Sequence, residues 1–233
     1  FYDNASTRYD ADELRRRLRE ALPRMAIEVI DWPYIYGPQA GPGWAVNGVE
    51  PDWDSDYCQV GVLQHARFRF LRDAKSVMHN AVDELVIGNK GRGVFEATEK
   101  SRTGLVKFDG RWISVVGEQP VDPALCRHAD FVFDEGLDLP NSPPKWCIRP
   151  QAFSRQISWG VHNIFGAKGN DVASEEFLFR HFRGVTTNWN YERWSDTQPD
   201  TSSLVRDGAL VAAMEEAGIR QPAPHKGEGR AAA

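Results

Sequence analysis

The chain has 233 residues, of which 41% are hydrophobic and 26% charged, so it is long enough to bury the core of a globular protein. Its net charge of -5 and its pI near 5.7 argue against general affinity for nucleic acid or for an anionic membrane surface. Its three scattered cysteines exclude a disulfide framework, and no apolar run approaches the roughly 18 residues that cross a bilayer.

The first predicted element is a surface helix over residues 11–22, where Asp10 caps an amphipathic run with an Arg- and Glu-rich polar face. A predicted strand follows and stops at Pro33. Residues 37–56 are rich in Gly, Pro and Asp, which favours a long loop. The sequence therefore predicts an N-terminal helix and a Pro/Gly-rich extension over residues 1–56.

Short apolar runs separated by turn residues dominate the middle of the chain. The alternation in 57–71 predicts a strand, and 77–118 predicts an antiparallel meander of three to five strands with turns at "NKGRG" and "FDGR". Strands first and helices afterwards indicate an α+β domain. The remaining predictions are helix at 122–136, Pro-rich loop at 137–153, short helix at 154–166, helices at 171–183 and 202–218, and a disordered tail at 220–233.

Three stretches suggest a catalytic constellation. "SVMHNAV" places His79 at the start of a strand, and "GRGVFEAT" places Glu96 at the end of a neighbouring strand. "DVASEEF" places Ala173 in the first turn of the predicted helix over 171–183. A thiol hydrolase needs a histidine base, a polar group that orients it, and a cysteine whose pKa a helix N-terminus lowers. At position 173 only the sulfur is missing.

The order of these stretches resembles the circularly permuted papain-like enzymes, which include NlpC-type cell-wall peptidases and lecithin:retinol acyltransferase-like proteins. "SVMHNAVDELVIGNKGRGVFEAT" is similar to the family's strand–His and Glu-containing segments, and "VASEEFLF" is similar to its Cys-Ser-Glu helix. The resemblance covers about residues 57–219 and implies a papain-like α+β hydrolase domain. The spacing from His79 to Glu96 is longer than usual in the family, and Asn80 replaces a small apolar residue.

The resemblance also implies the roles of the site residues. Position 173, as Cys, would attack an amide or ester carbonyl, His79 would transfer the proton, and Glu96 would orient the imidazole. Val172 and Ser174 would shape the site at the oxyanion. Three tryptophans are predicted to line the substrate cleft: Trp159, Trp189 and Trp194. With Ala173 in place the chain is expected to be inactive, either because a Cys was replaced, which we favour, or because the homologue is degenerate.

The expected activity is therefore that of a cysteine amidase or peptidase, or of an acyltransferase, acting on peptide or acyl amides and first of all on peptidoglycan peptides. No cofactor, metal or nucleic acid is expected, whereas a protein partner could use the N-terminal region. Secretion or delivery to the cell envelope fits this substrate, but the sequence fixes no compartment.

Several alternatives stay open. Cys147 is a rival nucleophile, and His65, His162 and His181 are rival bases. "SRQISWGVHNIFG" resembles a stretch of lysozyme-like muramidases, for which Glu135 would be the acid. A non-catalytic binding homologue is the third hypothesis.

Overall fold

A computed structural model describes residues 1–7, 9–34, 56–136, 142–154, 156–168, 173–185 and 201–219. The predicted loop over 37–56 lies outside these ranges except for its last residue, and so does the predicted tail at 220–233. The described chain mixes helices and strands, so the α+β prediction is confirmed at this coarse level. No helix in the described ranges combines the length and the apolar composition that a membrane span requires.

The chain divides into two compact units. Unit 1 comprises Phe1–Ala74 and Phe153–Ala167, and unit 2 comprises Lys75–Ala152 and Lys168–Ala233. The predicted boundary between the extension and the hydrolase domain, at 56/57, lies inside unit 1.

Unit 1 begins with a strand–helix–strand segment. Strand β1 (Tyr2–Asp3) pairs in parallel with β2 (Ile30–Asp31), and helix α1 (Ala11–Ala21) connects them. The Asp10 carboxylate accepts from the backbone N–H groups of Asp12 and Glu13, so the predicted N-cap is confirmed. Helix α1 presents a polar face on which Arg16 bonds to Glu13 and Glu20.

The other described elements of unit 1 are a helix and a short hairpin. Residues 57–71 were predicted as a strand, but α2 (Asp56–Arg69) is a helix. Its buried residues Leu63, Ala66 and Arg67 recur at helical intervals, whereas the alternating Phe68 and Phe70 are exposed. Residues 154–166 were predicted as a short helix, but they form the antiparallel pair β8 (Ser158–Trp159) and β9 (Ile164–Phe165).

Unit 2 contains a seven-stranded mixed sheet. Its strands are β3 (Val77–Met78), β4 (Glu84–Gly88), β5 (Leu105–Ile113), β6 (Phe133–Asp134), β7 (Ser142–Ile148), β10 (Ala173–Phe182) and β11 (Val205–Arg206). The order is β11–β6–β5–β10–β4, and β7 pairs with both β5 and β3. The long strands β5 and β10 are parallel, and the other pairs are antiparallel.

One helix covers each face of this sheet. Helix α3 (Val94–Lys100) buries Val94 and Ala97 against a cluster that contains Phe108, Phe177 and Phe179. Helix α4 (Gly208–Glu216) buries Leu210 and Met214 against the opposite face, beside Ile113 and Phe182. The last predicted helix is thus confirmed in its central part, but α3 was predicted as a strand.

The predicted helix over 171–183 is wrong, because β10 occupies Ala173–Phe182. Both faces of β10 are covered, so apolar residues follow one another without the alternation of a half-exposed strand. Its three phenylalanines favour extended structure. Hydrophobic pattern alone does not separate such a strand from a buried helix.

Two further predictions are wrong in the same part of the sheet. Residues 122–136 were predicted as a helix but contain only a 3-10 turn (His128–Asp130) and β6. The predicted loop at 137–153 contains the buried strand β7, in which Trp146, Cys147 and Ile148 are inaccessible to solvent. Pro143 and Pro144 stand at the start of this strand, where a missing N–H disturbs the ladder least.

Candidate cation site

A polar cluster interrupts the apolar face of the sheet that α3 covers. Towards the carboxyl ends of the parallel strands β5 and β10, Glu84, His181 and Trp112 stand in register across β4, β10 and β5. Towards the other end of β10 the same face carries Phe177 and Phe179, which pack against α3. Ligands of open sheets characteristically bind outside the carboxyl ends of parallel strands. A ligand is therefore expected to bind at this edge of the sheet.

The imidazole of His181 is the centre of the cluster. Its Nδ1 lies 2.9 Å from Ser142 Oγ, and its Nε2 lies 3.3 Å from Asp83 Oδ2. Glu84 Oε1 lies 3.9 Å from Nδ1. The indole of Trp112 stacks on the imidazole with ring centroids 4.1 Å apart and an interplanar angle of 23°. The imidazole is thus bonded at both edges and covered on one face.

Glu84 is tied to the protein through both carboxylate oxygens. Oε1 accepts from Lys145 Nζ at 3.1 Å, and Oε2 accepts from the Ala81 N–H at 2.8 Å. The side chains of Glu84 and Lys145 are 1% and 5% exposed, so the ion pair is buried. Asp83 is fixed through its backbone, because its carbonyl oxygen accepts from the Phe182 N–H at 2.8 Å. Asp83 and Glu84 are therefore buried residues whose positions are held by hydrogen bonds and an ion pair.

Asp83, Glu84 and His181 each have one potential ligand atom, and these three atoms lie within 4.8 Å of one another. Carboxylate and imidazole together suit divalent cations such as Mn²⁺ and Zn²⁺, and carboxylates alone suit Mg²⁺. Two or three protein ligands leave coordination positions for water or for the oxygens of a substrate. The donor atoms of the cluster are of the types that bind divalent cations, and the Glu84 carboxylate is shared with Lys145 and the Ala81 N–H.

Two of these three residues, Asp83 and Glu84, are not predicted as site residues from the sequence. The sequence indicates His181 only as a rival base, and it places Asp83 and Glu84 in the predicted strand meander. The available signal was the adjacent acid pair in "NAVDELV", directly before an apolar run. Two neighbouring acids at the head of a strand place one carboxylate in the preceding turn and one on the sheet. No spacing rule connects them to His181, which is nearly a hundred residues away.

The structure does not bring His79, Glu96 and Ala173 together. Ala173 begins β10 opposite Lys107 of β5, and Lys107 lies opposite Trp146 of β7. His79 follows β3, which pairs with the other edge of β7, and its ring stacks on Trp146. Three strand spacings of about 4.8 Å separate His79 from Ala173 by about 14 Å, which is beyond hydrogen-bond reach.

Glu96 was predicted at the end of a strand, but it lies on the exposed side of α3. Its carboxylate bonds to Lys100 Nζ at 2.6 Å, one turn later. This hydrogen bond lowers the pKa of Glu96. The sequence pattern Glu–x–x–x–Lys is the ordinary pattern of an exposed helical pair.

The remaining predicted site residues divide into described and undescribed ones. Ser174 Oγ accepts from the Glu176 N–H at 3.2 Å, which is a local strand contact. Trp159 is 1% exposed in unit 1, so its indole is packed and does not line an open cleft. The other three residues lie outside the described ranges: Val172, Trp189 and Trp194.

The rival residues are also placed. Cys147 is inaccessible to solvent, and burial raises the pKa of its thiol to about 11, against the smaller lowering effect of a hydrogen bond with Thr98. A thiol in this state is a poor nucleophile. The Glu135 carboxylate forms an ion pair with Arg183 at 2.8 Å, and the Arg183 guanidinium lies 4.0 Å from the Trp112 ring centroid.

Comparison with protein-family models finds no match to this chain, and comparison with the sequences of curated proteins finds none either.

Proposed function

We propose that the chain is a divalent-cation-dependent enzyme that acts on a phosphate-containing substrate, by group transfer or hydrolysis. The observation that carries this proposal is the convergence of Asp83, Glu84 and His181 within 4.8 Å at the carboxyl edge of the parallel strands. Cations held by one or two carboxylates commonly complete their coordination with substrate phosphate oxygens. In that position the cation neutralises charge that develops on a leaving phosphate.

A nucleoside diphosphate is a suitable test ligand, because its two phosphates supply oxygens that can complete the coordination of a bound cation.

The papain-like fold and the thiol chemistry implied by the sequence resemblance stay predictions. We rank the thiol hydrolase below the cation-dependent enzyme for two reasons. Position 173 begins a strand, where the dipole of a helix N-terminus is not available to lower a thiol pKa. The proposed base is also about three strand spacings away.

The proposal is tested by measuring Mn²⁺ binding calorimetrically. We expect the wild-type chain to bind one Mn²⁺, and we expect Asp83→Asn and His181→Ala to weaken binding by at least about 100-fold, more than loss of an outer-shell partner costs. Asp73→Asn is the matched control, because the Asp73 side chain is 78% exposed and pairs only with Arg72. UDP, ADP and GDP are then titrated with and without Mn²⁺, and we expect one of them to bind only with the cation.

Two outcomes would contradict the proposal. Absence of Mn²⁺ binding to the wild-type chain would exclude the cation site. Equal Mn²⁺ affinity in wild type and Asp83→Asn would show that the cation binds elsewhere.

A further inference from the structure

Ser142 contacts His181 by a hydrogen bond and is not one of the three candidate cation ligands. It is the first residue of β7 and is 2% exposed. Its Oγ lies 2.9 Å from His181 Nδ1, whereas the nearest carboxylate oxygen of Glu84 is 3.9 Å from the same nitrogen. Ser142 is therefore the hydrogen-bond partner of Nδ1.

The other ring nitrogen faces Asp83. Nε2 lies 3.3 Å from Asp83 Oδ2, and a carboxylate can only accept a hydrogen bond. Without a cation, a neutral imidazole satisfies Asp83 by carrying its proton on Nε2. Nδ1 is then an acceptor, and the Ser142 hydroxyl must donate to it.

A cation shared by Asp83 and His181 reverses these roles. The ligating nitrogen must be unprotonated, so the ring proton moves to Nδ1 and Ser142 Oγ becomes the acceptor. A hydroxyl can donate in one state and accept in the other, which neither a carboxylate nor an ammonium group can do.

We propose that Ser142 is a positioning residue that selects Nε2 of His181 as the ligating nitrogen and permits the change of tautomer when the cation binds. This inference rests on the proposed cation site. The Trp112 indole, stacked on the imidazole, holds the ring in the plane in which both bonds are made. Partners of this kind typically change cation affinity by about 10- to 100-fold.

The first measurement is the Mn²⁺ affinity of the full chain. We expect Ser142→Ala to bind Mn²⁺ about 10- to 100-fold more weakly than wild type, and we expect Ser142→Thr, which keeps the hydroxyl, to recover most of the loss. Ser114→Ala is the matched control, because Ser114 is also 2% exposed and its hydroxyl accepts from the backbone N–H of Val116, away from His181. The control is expected to bind like wild type.

The second measurement is the ¹⁵N spectrum of the imidazoles in wild type, with His181 assigned by comparison with His181→Gln. We expect the proton on Nε2 in the cation-free chain and on Nδ1 in the Zn²⁺-bound chain, since Zn²⁺ is diamagnetic. This readout needs no serine variant, so it stands even where Ser142→Ala does not fold.

The outcomes separate this inference from the proposed function. If wild type and Ser142→Ala bind Mn²⁺ equally, or if Nδ1 is the ligating nitrogen, the role of Ser142 is overturned while the cation site stands. If wild type binds no cation, both are overturned.

Discussion

Burial gives single residues of this chain properties that their type alone does not predict. Glu84 and Lys145 form an ion pair that is almost inaccessible to solvent. Removing one partner of such a pair leaves an uncompensated charge in the protein interior. Replacing both partners with neutral groups leaves no uncompensated charge in the interior. The pair therefore constrains stability, and it includes one residue of the candidate cation site, Glu84.

Lys145→Met is expected to lower the free energy of unfolding by about 3–5 kcal/mol, because it leaves the Glu84 carboxylate buried without the Lys145 ammonium group. The double variant Glu84→Gln/Lys145→Met is expected to recover a large part of this loss. Arg72→Met is the control, since the Arg72–Asp73 pair is exposed and is expected to contribute little. Urea denaturation measures all three, and equal stability of the single and double variants would contradict the expectation.

Cys147 is a second case in which the fold changes a residue's chemistry. Burial raises its pKa from an ordinary value near 9.0 to about 11. The folded chain therefore holds the thiol proton more tightly than the unfolded chain does. The stability that this residue contributes is present below pH 9 and is lost as the pH rises through 9 to about 11.

The free energy of unfolding is accordingly expected to fall more steeply between pH 9 and pH 10.5 in wild type than in Cys147→Ala. Other groups that titrate in this range are common to both chains, so the difference in slope isolates Cys147. Urea denaturation at four pH values measures it. In the folded chain at pH 8, iodoacetamide is expected to leave Cys147 unmodified, and rapid alkylation of this thiol would refute the expectation.

At the scale of the elements, local signals predicted some segments well and others poorly. Helix α1 carries its own cap and its own polar face, so nothing outside it was needed to predict it. Strand β10 and strand β7 are defined by what covers them, and a run such as "EEFLFRHF" has no period that separates a covered strand from a buried helix. The candidate site is difficult to predict for the same reason as β7 and β10. Its members lie on β4, β5, β7 and β10 and in the turn before β4, and only the sheet topology brings them together.

Gly110 of β5 lies directly against the ring of Phe179 of β10. A Cβ at Gly110 would lie 2.1 Å from the Phe179 ring, because the phenylalanine of β10 crosses directly over β5. This close approach explains the glycine of "KFDGR". Two residues further along β5 and β10, Trp112 and His181 lie on the same face of the sheet.

Gly110→Ala is therefore expected to destabilise the chain by about 1–3 kcal/mol, because the Phe179 ring must leave its position in a packed core. Gly208→Ala is the matched control, since nothing lies within 4 Å of its added Cβ and the residue is the first of α4. The control is expected to be neutral or slightly stabilising. Thermal denaturation measures both, and equal melting temperatures would contradict the packing argument.

At the scale of the whole molecule, the two units do not follow the order of the chain. Residues 153–167 belong to unit 1 although they come after the first half of unit 2. The Gln64 amide of α2 donates to the Trp159 carbonyl at 2.7 Å, and the Arg67 guanidinium donates to the carbonyl oxygens of Ile157 and Ser154. The hairpin thus satisfies polar groups of α2, and α2 satisfies polar groups of the hairpin.

Residues 1–74 alone are consequently expected not to fold. Without the hairpin, the buried Arg67 loses the carbonyl oxygens that accept its hydrogen bonds, and the apolar surface that the hairpin covers becomes exposed. A single chain in which a Gly/Ser linker joins 1–74 to 153–167 restores both. We expect cooperative thermal unfolding, followed by circular dichroism, for the joined chain and a non-cooperative trace for 1–74. Cooperative unfolding of 1–74 at the same temperature as the joined chain would show that the hairpin is not part of this folding unit.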